Sequence, residues 1–198
     1  MKRAFALAAG LFLAATAVTP SAAQEVTKWK SVGWWDIQFF EEYGGCAAVA
    51  EFQNNSFVFI GLDTGTGNLG LRIAVLNQNW SSITPDEPYQ VVVRFDRRAP
   101  WNLTMYGADV QGRPGLYNLF PADSQSAANF VREFQRSRHM VWTFQGTELG
   151  DFSLKSTNQA YREVYACTDQ YLKNMAGSDP FASGKTGASG GGGADPFK

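Results

Sequence analysis

The chain has 198 residues, 44% of them hydrophobic and 14% aromatic, with 17 Lys and Arg against 18 Asp and Glu. A formal charge of −1 with no basic cluster argues against nucleic acid or an anionic membrane surface as a partner. Two cysteines and one histidine are too few ligands for a metal centre, so neither metal nor cofactor is expected.

Residues 1–23 read as a secretory signal peptide. Met1-Lys2-Arg3 is a positive start, the run from Ala4 to Val18 is apolar apart from Gly10 and Thr16, and Ser21-Ala22-Ala23 precedes Gln24 with small residues. The apolar run is short for a membrane span, and no other stretch is long enough to cross a bilayer as a helix. Cleavage before Gln24 leaves no membrane anchor and places the mature chain in the periplasm or outside the cell. It also removes Lys2 and Arg3, which moves the formal charge to about −3. Residues 24–177 are then one β-rich domain, long enough to bury a core.

Residues 25–40 carry Trp29, Trp34 and Trp35 with Val32, Ile37, Phe39 and Phe40, and predict one strand at 32–39 behind a leading segment. A turn at 41–45 leads to a strand at 46–52. Gln53-Asn54-Asn55 predicts a tight turn, because Asn tolerates left-handed geometry. A strand at 56–62 is apolar on both faces, and Asp63-Thr64-Gly65-Thr66-Gly67-Asn68 turns the chain again. The strongest pattern follows. Leu69, Leu71, Ile73 and Val75 alternate with Gly70, Arg72, Ala74 and Leu76, and Tyr89, Val91, Val93 and Phe95 alternate with Gln90, Val92, Arg94 and Asp96. Successive side chains of a strand face opposite ways, so the pattern predicts a β-hairpin over 69–96 around a proline-containing loop.

Arg97-Arg98-Ala99-Pro100 breaks that unit and a strand is expected at 101–108. Residues 112–121 read as looser chain. Ala127, Phe130, Val131 and Phe134 lie at i, i+3, i+4 and i+7, which predicts a helix at 124–136 capped by Asp123 or Ser124. A strand follows at 139–144, and 152–154 offers one more. The last helix, 156–176, starts with a capping-box pattern, Ser156-Thr157-Asn158-Gln159, and has Ala160, Val164, Cys167 and Tyr171 on one face. Residues 178–198 are Gly-, Ser- and Ala-rich and are expected to be a disordered tail. Within it Asp179-Pro180-Phe181 recurs as Asp195-Pro196-Phe197, which we read as biased composition in preference to a docking motif. The fold class is mainly β, a β-sandwich or open barrel, with two amphipathic helices.

The chemistry-bearing residues are few. Asp63-Thr64-Gly65 resembles the triplet of aspartic proteases, whose mechanism needs two aspartates sharing a proton, and this chain would need a dimer to supply the second. The same run is also an ordinary turn in which Asp bonds back to the main chain. Cys46 with His139 would make a thiol nucleophile and base, but an even cysteine pair in an exported chain is expected as a disulfide, Cys46 to Cys167. Trp80 and Trp101 flank loops and are the candidates for an exposed sugar-binding platform, the other tryptophans being expected in the core. No complete catalytic constellation assembles. The expected function is therefore an exported, non-enzymatic binding or envelope-accessory protein with a protein or glycan partner. The alternatives are an aspartic-protease-like hydrolase using Asp63, or a carbohydrate-binding module using Trp80 and Trp101.

The run Phe152-Ser153-Leu154-Lys155-Ser156, then Ala160, then Cys167 on a closing helix, resembles the C-terminal end of small exported proteobacterial proteins of the invasion-associated locus B family. The resemblance covers the last part of the domain. It implies a small β-sandwich with a short helix after the last strand, and a non-enzymatic envelope or host-interaction role. It carries over no functional residue.

Overall fold

A computed structural model describes residues 26–65, 67–110 and 112–178. The signal-peptide reading of 1–23 and the tail reading from residue 179 onward lie outside the described residues.

Ten strands form one sheet: β1 (Val26–Val32), β2 (Trp35–Phe40), β3 (Gly45–Phe52), β4 (Ser56–Asp63), β5 (Gly70–Asn77), β6 (Pro88–Phe95), β7 (Trp101–Val110), β8 (Arg113–Pro121), β9 (His139–Phe144) and β10 (Thr147–Ser153). Helix α1 (Gln125–Arg136) separates β8 from β9, and α2 (Thr157–Ser178) closes the domain. The spatial order is β1-β2-β3-β4-β5-β8-β7-β6-β9-β10, with every pairing antiparallel. The fold is mainly β with two helices, as composition and periodicity imply.

Alternation places one side chain of every two inside. Cys46, Ala48 and Ala50 of β3, Val58, Ile60 and Leu62 of β4, Leu71, Ile73 and Val75 of β5, and Val91, Val93 and Phe95 of β6 share one core. The sheet curls so that β10 reaches back over β3. Phe52 of β3 and Phe152 of β10 pack edge to face with ring centroids 5.0 Å apart. Helix α1 plugs this open barrel: Phe134 meets Trp35 of β2 at 5.4 Å, and Phe130 meets Phe95 of β6 at 5.1 Å. Ser124 caps α1 as expected, its Oγ accepting from the Ala127 N–H at 3.1 Å.

Helix α2 lies over β2 and β3 through Ala160, Tyr161, Val164 and Cys167, with Tyr171 stacked on Phe39 at 3.8 Å. The Cys46–Cys167 disulfide spans 121 residues with Cα atoms 5.9 Å apart. Beside it the Cys46 N–H donates to Thr168 Oγ1 at 3.0 Å. Ser156, expected to open a capping box, has φ 70. That is left-handed backbone, not the extended geometry of a capping residue, and its contribution is a carbonyl that accepts from the Ala160 N–H at 2.9 Å. Among the described residues no helix is long and apolar enough to cross a membrane.

Two expectations about the strands are corrected. The hairpin over 69–96 does not form: β5 pairs with β4 and β8, and β6 pairs with β7 and β9. The strands β6, β7 and β8 form a meander whose last member returns beside β5, which is a Greek key. The loop after β5 bonds to β7: Asp86 N–H donates to Gly107 O at 2.9 Å, and Gly107 N–H to Glu87 O at 3.0 Å. A side chain at Gly107 would run into the Thr84 carbonyl, so the close approach requires glycine there. Alternation identifies the buried face of each strand and leaves the neighbour open. The second correction is residues 112–121, read as loose, which form the central strand β8; Gly115 and Pro114 conceal its pattern. The leading segment before residue 32 is itself a strand that forms a hairpin with β2, and the strand expected at 152–154 is the end of the longer β10.

Removing the disulfide frees the ends of a long loop, which the chain-entropy model values at about 4–5 kcal/mol and measured cases at about 2–4. Cys46→Ala with Cys167→Ala should lower the melting midpoint by roughly 10 °C, read by circular dichroism. A midpoint that reductant leaves unchanged would show that α2 holds without the bond.

Candidate functional site

The outward side chains of the central strands are not polar. Across β4, β5 and β8 the register places Phe59, Ala74 and Tyr117 in one row. The next row is Phe57, Leu76 and Gly115. Large residues therefore flank small ones, which leaves a depression. Tyr43, Ala47, Phe59, Ala74 and Leu76 form a second buried cluster here, with Phe40, Val49, Phe57, Val110 and Tyr117 around it. Phe59 meets Phe40 at 5.1 Å and Tyr43 at 5.6 Å, both edge to face. Both helices pack on the opposite face of the sheet, through residues of the main core.

Asp63 ends β4 on this outer face and is 1% exposed. Its Oδ1 accepts the Gly65 N–H at 2.8 Å, and its Oδ2 accepts Arg72 Nε at 2.7 Å and lies 2.6 Å from Nη2. The Arg72 side chain is 17% exposed. Its guanidinium carbon sits 4.4 Å from the centre of the Tyr43 ring and 4.9 Å from that of Tyr117. The cation is thus paired at its edge and covered by aromatic rings, an arrangement that suits Arg and not Lys. Tyr43 is held from behind, its carbonyl accepting from Thr64 N–H at 2.7 Å and Gly65 N–H at 3.1 Å. At the other end of the face Arg113 lies 4.0 Å over the Phe57 ring.

Between these groups is a cavity of about 240 Å³, walled by Tyr43, Phe59, Arg72, Leu76, Val110 and Tyr117, with Ala74 and Ala108 as its small residues and Glu42 and Asp109 among its lining. Burial, reinforced by the charge of Glu42, pushes the Tyr43 hydroxyl above its ordinary value. The arrangement offers apolar area, ring faces and a clamped guanidinium, which are the means of recognition.

The candidates named from sequence fall out as follows. Asp63 is part of this face, with its oxygens engaged by Arg72 and Gly65 and its run shaped as a turn. Cys46 is buried and bonded to Cys167, so it carries no thiol for His139. His139 is exposed, with Nδ1 3.0 Å from an Asp151 carboxylate oxygen. Trp80 and Trp101 do not form an exposed platform: both are partly buried against the main core. Trp101 opens β7 in the inward phase of Leu103 and Met105, meets Phe130 at 5.4 Å and donates Nε1 to Glu133 at 3.1 Å. The exposed tryptophans are Trp29 at 38% and Trp34 at 45%, on the β1–β2 hairpin. Among the described residues no three His, Cys, Asp or Glu side chains cluster as metal ligands would.

Sequence reasoning missed Arg72, Tyr43 and Tyr117. The available signal was Arg72 itself, a lone charge in a strand otherwise apolar on both faces. Comparison with protein-family models, with curated proteins and with solved structures finds no match.

Asp63→Asn should cost about 2–4 kcal/mol, because it leaves Arg72 largely buried without its carboxylate. Replacing the pair together, Asp63→Leu with Arg72→Met, should recover most of that in urea unfolding, since an ion pair can be exchanged for apolar packing at little cost. A neutral Tyr43 contributes stability that is fully present below the ordinary tyrosine value of about 10 and is lost as pH rises through its raised value. Tyr43→Phe should therefore reduce the loss of stability seen in melts above pH ~10.

Proposed function

We propose that this chain is an exported, non-enzymatic binding or envelope-accessory protein that recognises a protein partner through the outer face of β4, β5, β7 and β8. The observation that carries the reading is a cavity of about 240 Å³ among Tyr43, Phe59, Arg72 and Tyr117 on a face that neither α1 nor α2 covers, with Phe57 and Arg113 beside it. Aromatic residues and Arg are the side chains that dominate the energetic centres of interfaces. The depression takes one apolar side chain of the partner, and Arg113 meets a carboxylate beside it. The engagement of Asp63 by Arg72 and Gly65 supports recognition over hydrolysis. The signal-like residues 1–23 and the Cys46–Cys167 bond support export, because such bonds persist in oxidising compartments. The resemblance to the invasion-associated locus B family points the same way.

The mature protein should begin at Gln24 by mass spectrometry and be released with the periplasmic or extracellular fraction. A photo-crosslinking residue at Val110 should capture one discrete protein from an envelope extract, and the same residue at Asp151 should not. Tyr117→Ala and Arg113→Glu should each reduce capture at least tenfold. Arg113→Glu should leave the melting midpoint unchanged within about 2 °C, whereas Tyr117→Ala, which uncovers Arg72, should lower it by about 2–6 °C with the β-sheet circular dichroism retained. Binding to a glycan array that is lost in the same two variants would replace the protein partner with a sugar. Retention of full capture by both variants would remove the outer face from the proposal.

A further inference from the structure

A second concavity lies at one mouth of the barrel, on the helix side of the sheet. The ends of β4, β5 and β8 meet α1 and α2 there and do not close against them. The cleft has two chambers that share Leu62, Ala122 and Tyr165. The outer one, about 660 Å³, is walled by Leu69, Leu119, Phe120 and Pro121. The inner one, about 230 Å³, runs between Leu71, Val131 and Tyr161. The gap has a local cause: the turn into α1 and its first turn carry Ala122, Ala127 and Ala128, which are too small to fill the space between the two helices. Leu69 and Tyr165 stand 45% and 52% exposed, large apolar groups left in water at the entrance. Barrel mouths and gaps between helices are common places for apolar ligand sites; the outer chamber has the volume of such a site, and the inner one is a smaller extension of it.

The polar lining selects the ligand. Among the described residues it consists of Asn68, Asp123 and the tyrosines 161 and 165, with no Lys, Arg or His lining either chamber. The N-terminus of α1 opens near the same rim. Its Ala127 N–H is already taken by Ser124, and Asp123 supplies the negative charge that a helix N-terminus favours. A ligand carboxylate would therefore meet Asp123 with no cation to hold it, whereas a hydroxyl or an ammonium would meet an acceptor.

We infer that this cleft binds a single-chain amphiphile with a neutral or cationic head, its chain between α1 and α2 in the inner chamber and its head beside Asp123 and Asn68. The site is independent of the outer-face reading, since the two share no lining residue.

The test is an NMR titration of the full mature protein, with uniform ¹⁵N label, against three probes of equal chain length: monolaurin, dodecylamine and laurate, each below its micelle concentration. Monolaurin and dodecylamine should saturate with micromolar Kd and shift the amides of Leu71, Ala127, Ala128 and Tyr165. Laurate should bind at least tenfold more weakly, and Asp123→Asn should abolish the preference of dodecylamine over laurate. Ala128→Trp fills the cleft from an exposed helix position, and Leu69→Asp charges its entrance from the exposed loop before β5. Each should weaken monolaurin at least tenfold, while Tyr117→Ala on the outer face leaves it unchanged. Equal binding of all three probes, shifts that map away from the cleft, or full affinity in Ala128→Trp and Leu69→Asp would each overturn the inference.

Discussion

An antiparallel sheet that packs one face on a core ordinarily turns polar residues outward. Strands β4 and β5 depart from this, because nearly every residue along them is buried, on both faces. Their inner side chains meet the helices, and their outer ones are covered by neither α1 nor α2, only by the sheet and the turn that carries Tyr43. Arg72 stands among them, and a charge held there is tolerable only when it is paired and hydrogen-bonded. Asp63, at the end of the neighbouring strand, supplies the pair, and Tyr43 and Tyr117 cover the guanidinium. The turn that carries Tyr43 and the loop after β4 bring a ring face and a backbone N–H to that cation and its carboxylate.

The other face depends on closure. A ten-stranded open sheet has two edges and a long trough between them, and each is a liability unless covered. Here α1 fills the trough with Phe130 and Phe134, and α2 lies across the N-terminal strands, held by the disulfide and by Glu163, which accepts from Lys30 Nζ at 2.8 Å and Trp29 Nε1 at 3.3 Å. The tie to Lys30 holds the Glu163 carboxyl below the usual carboxylate range. The two helices converge at Phe134 and Tyr161, whose rings lie 6.4 Å apart. They diverge toward the first turn of α1, where alanines replace aromatics, and the cleft opens there. The sheet thus carries two concavities of different character: an outer one lined by aromatic rings and Arg72, and an inner apolar cleft edged by a carboxylate.

Much of this was legible in order along the chain. The strands at 46–52 and 56–62, the Asn-rich turn between them, the helix with Phe130 and Phe134 inward, and the pairing of Cys46 with Cys167 follow from alternation, helical spacing and the even count of cysteines. Each of these depends on near neighbours in sequence or, for the cysteines, on the lack of any other partner. Trp101 shows where the reading stopped. Its place beside a loop suggested exposure, yet the phase of Leu103 and Met105 turns it inward and α1 arrives to cover it. Strand β8 was hidden because Pro114 and Gly115 dilute its pattern, although it sits at the centre of the sheet.

The sequence by itself determined that the chain is a β-rich domain with two amphipathic helices, which side chains face inward on most strands, and that the cysteines pair. Those properties are set by the two-residue and 3.6-residue periods of the backbone and by the redox chemistry of thiols. Tertiary structure alone decided that β8, and not β6, lies beside β5. A stripe of alternating apolar residues is satisfied by any neighbour of matching pattern, so the choice falls to the loop contacts at Gly107 and to closure of the sheet. That choice brings Tyr117 across from Ala74 and over Arg72, joining residues 43, 63, 72 and 117 from four separate segments. No local pattern encodes such a meeting, because it arises from the order in which strands pack.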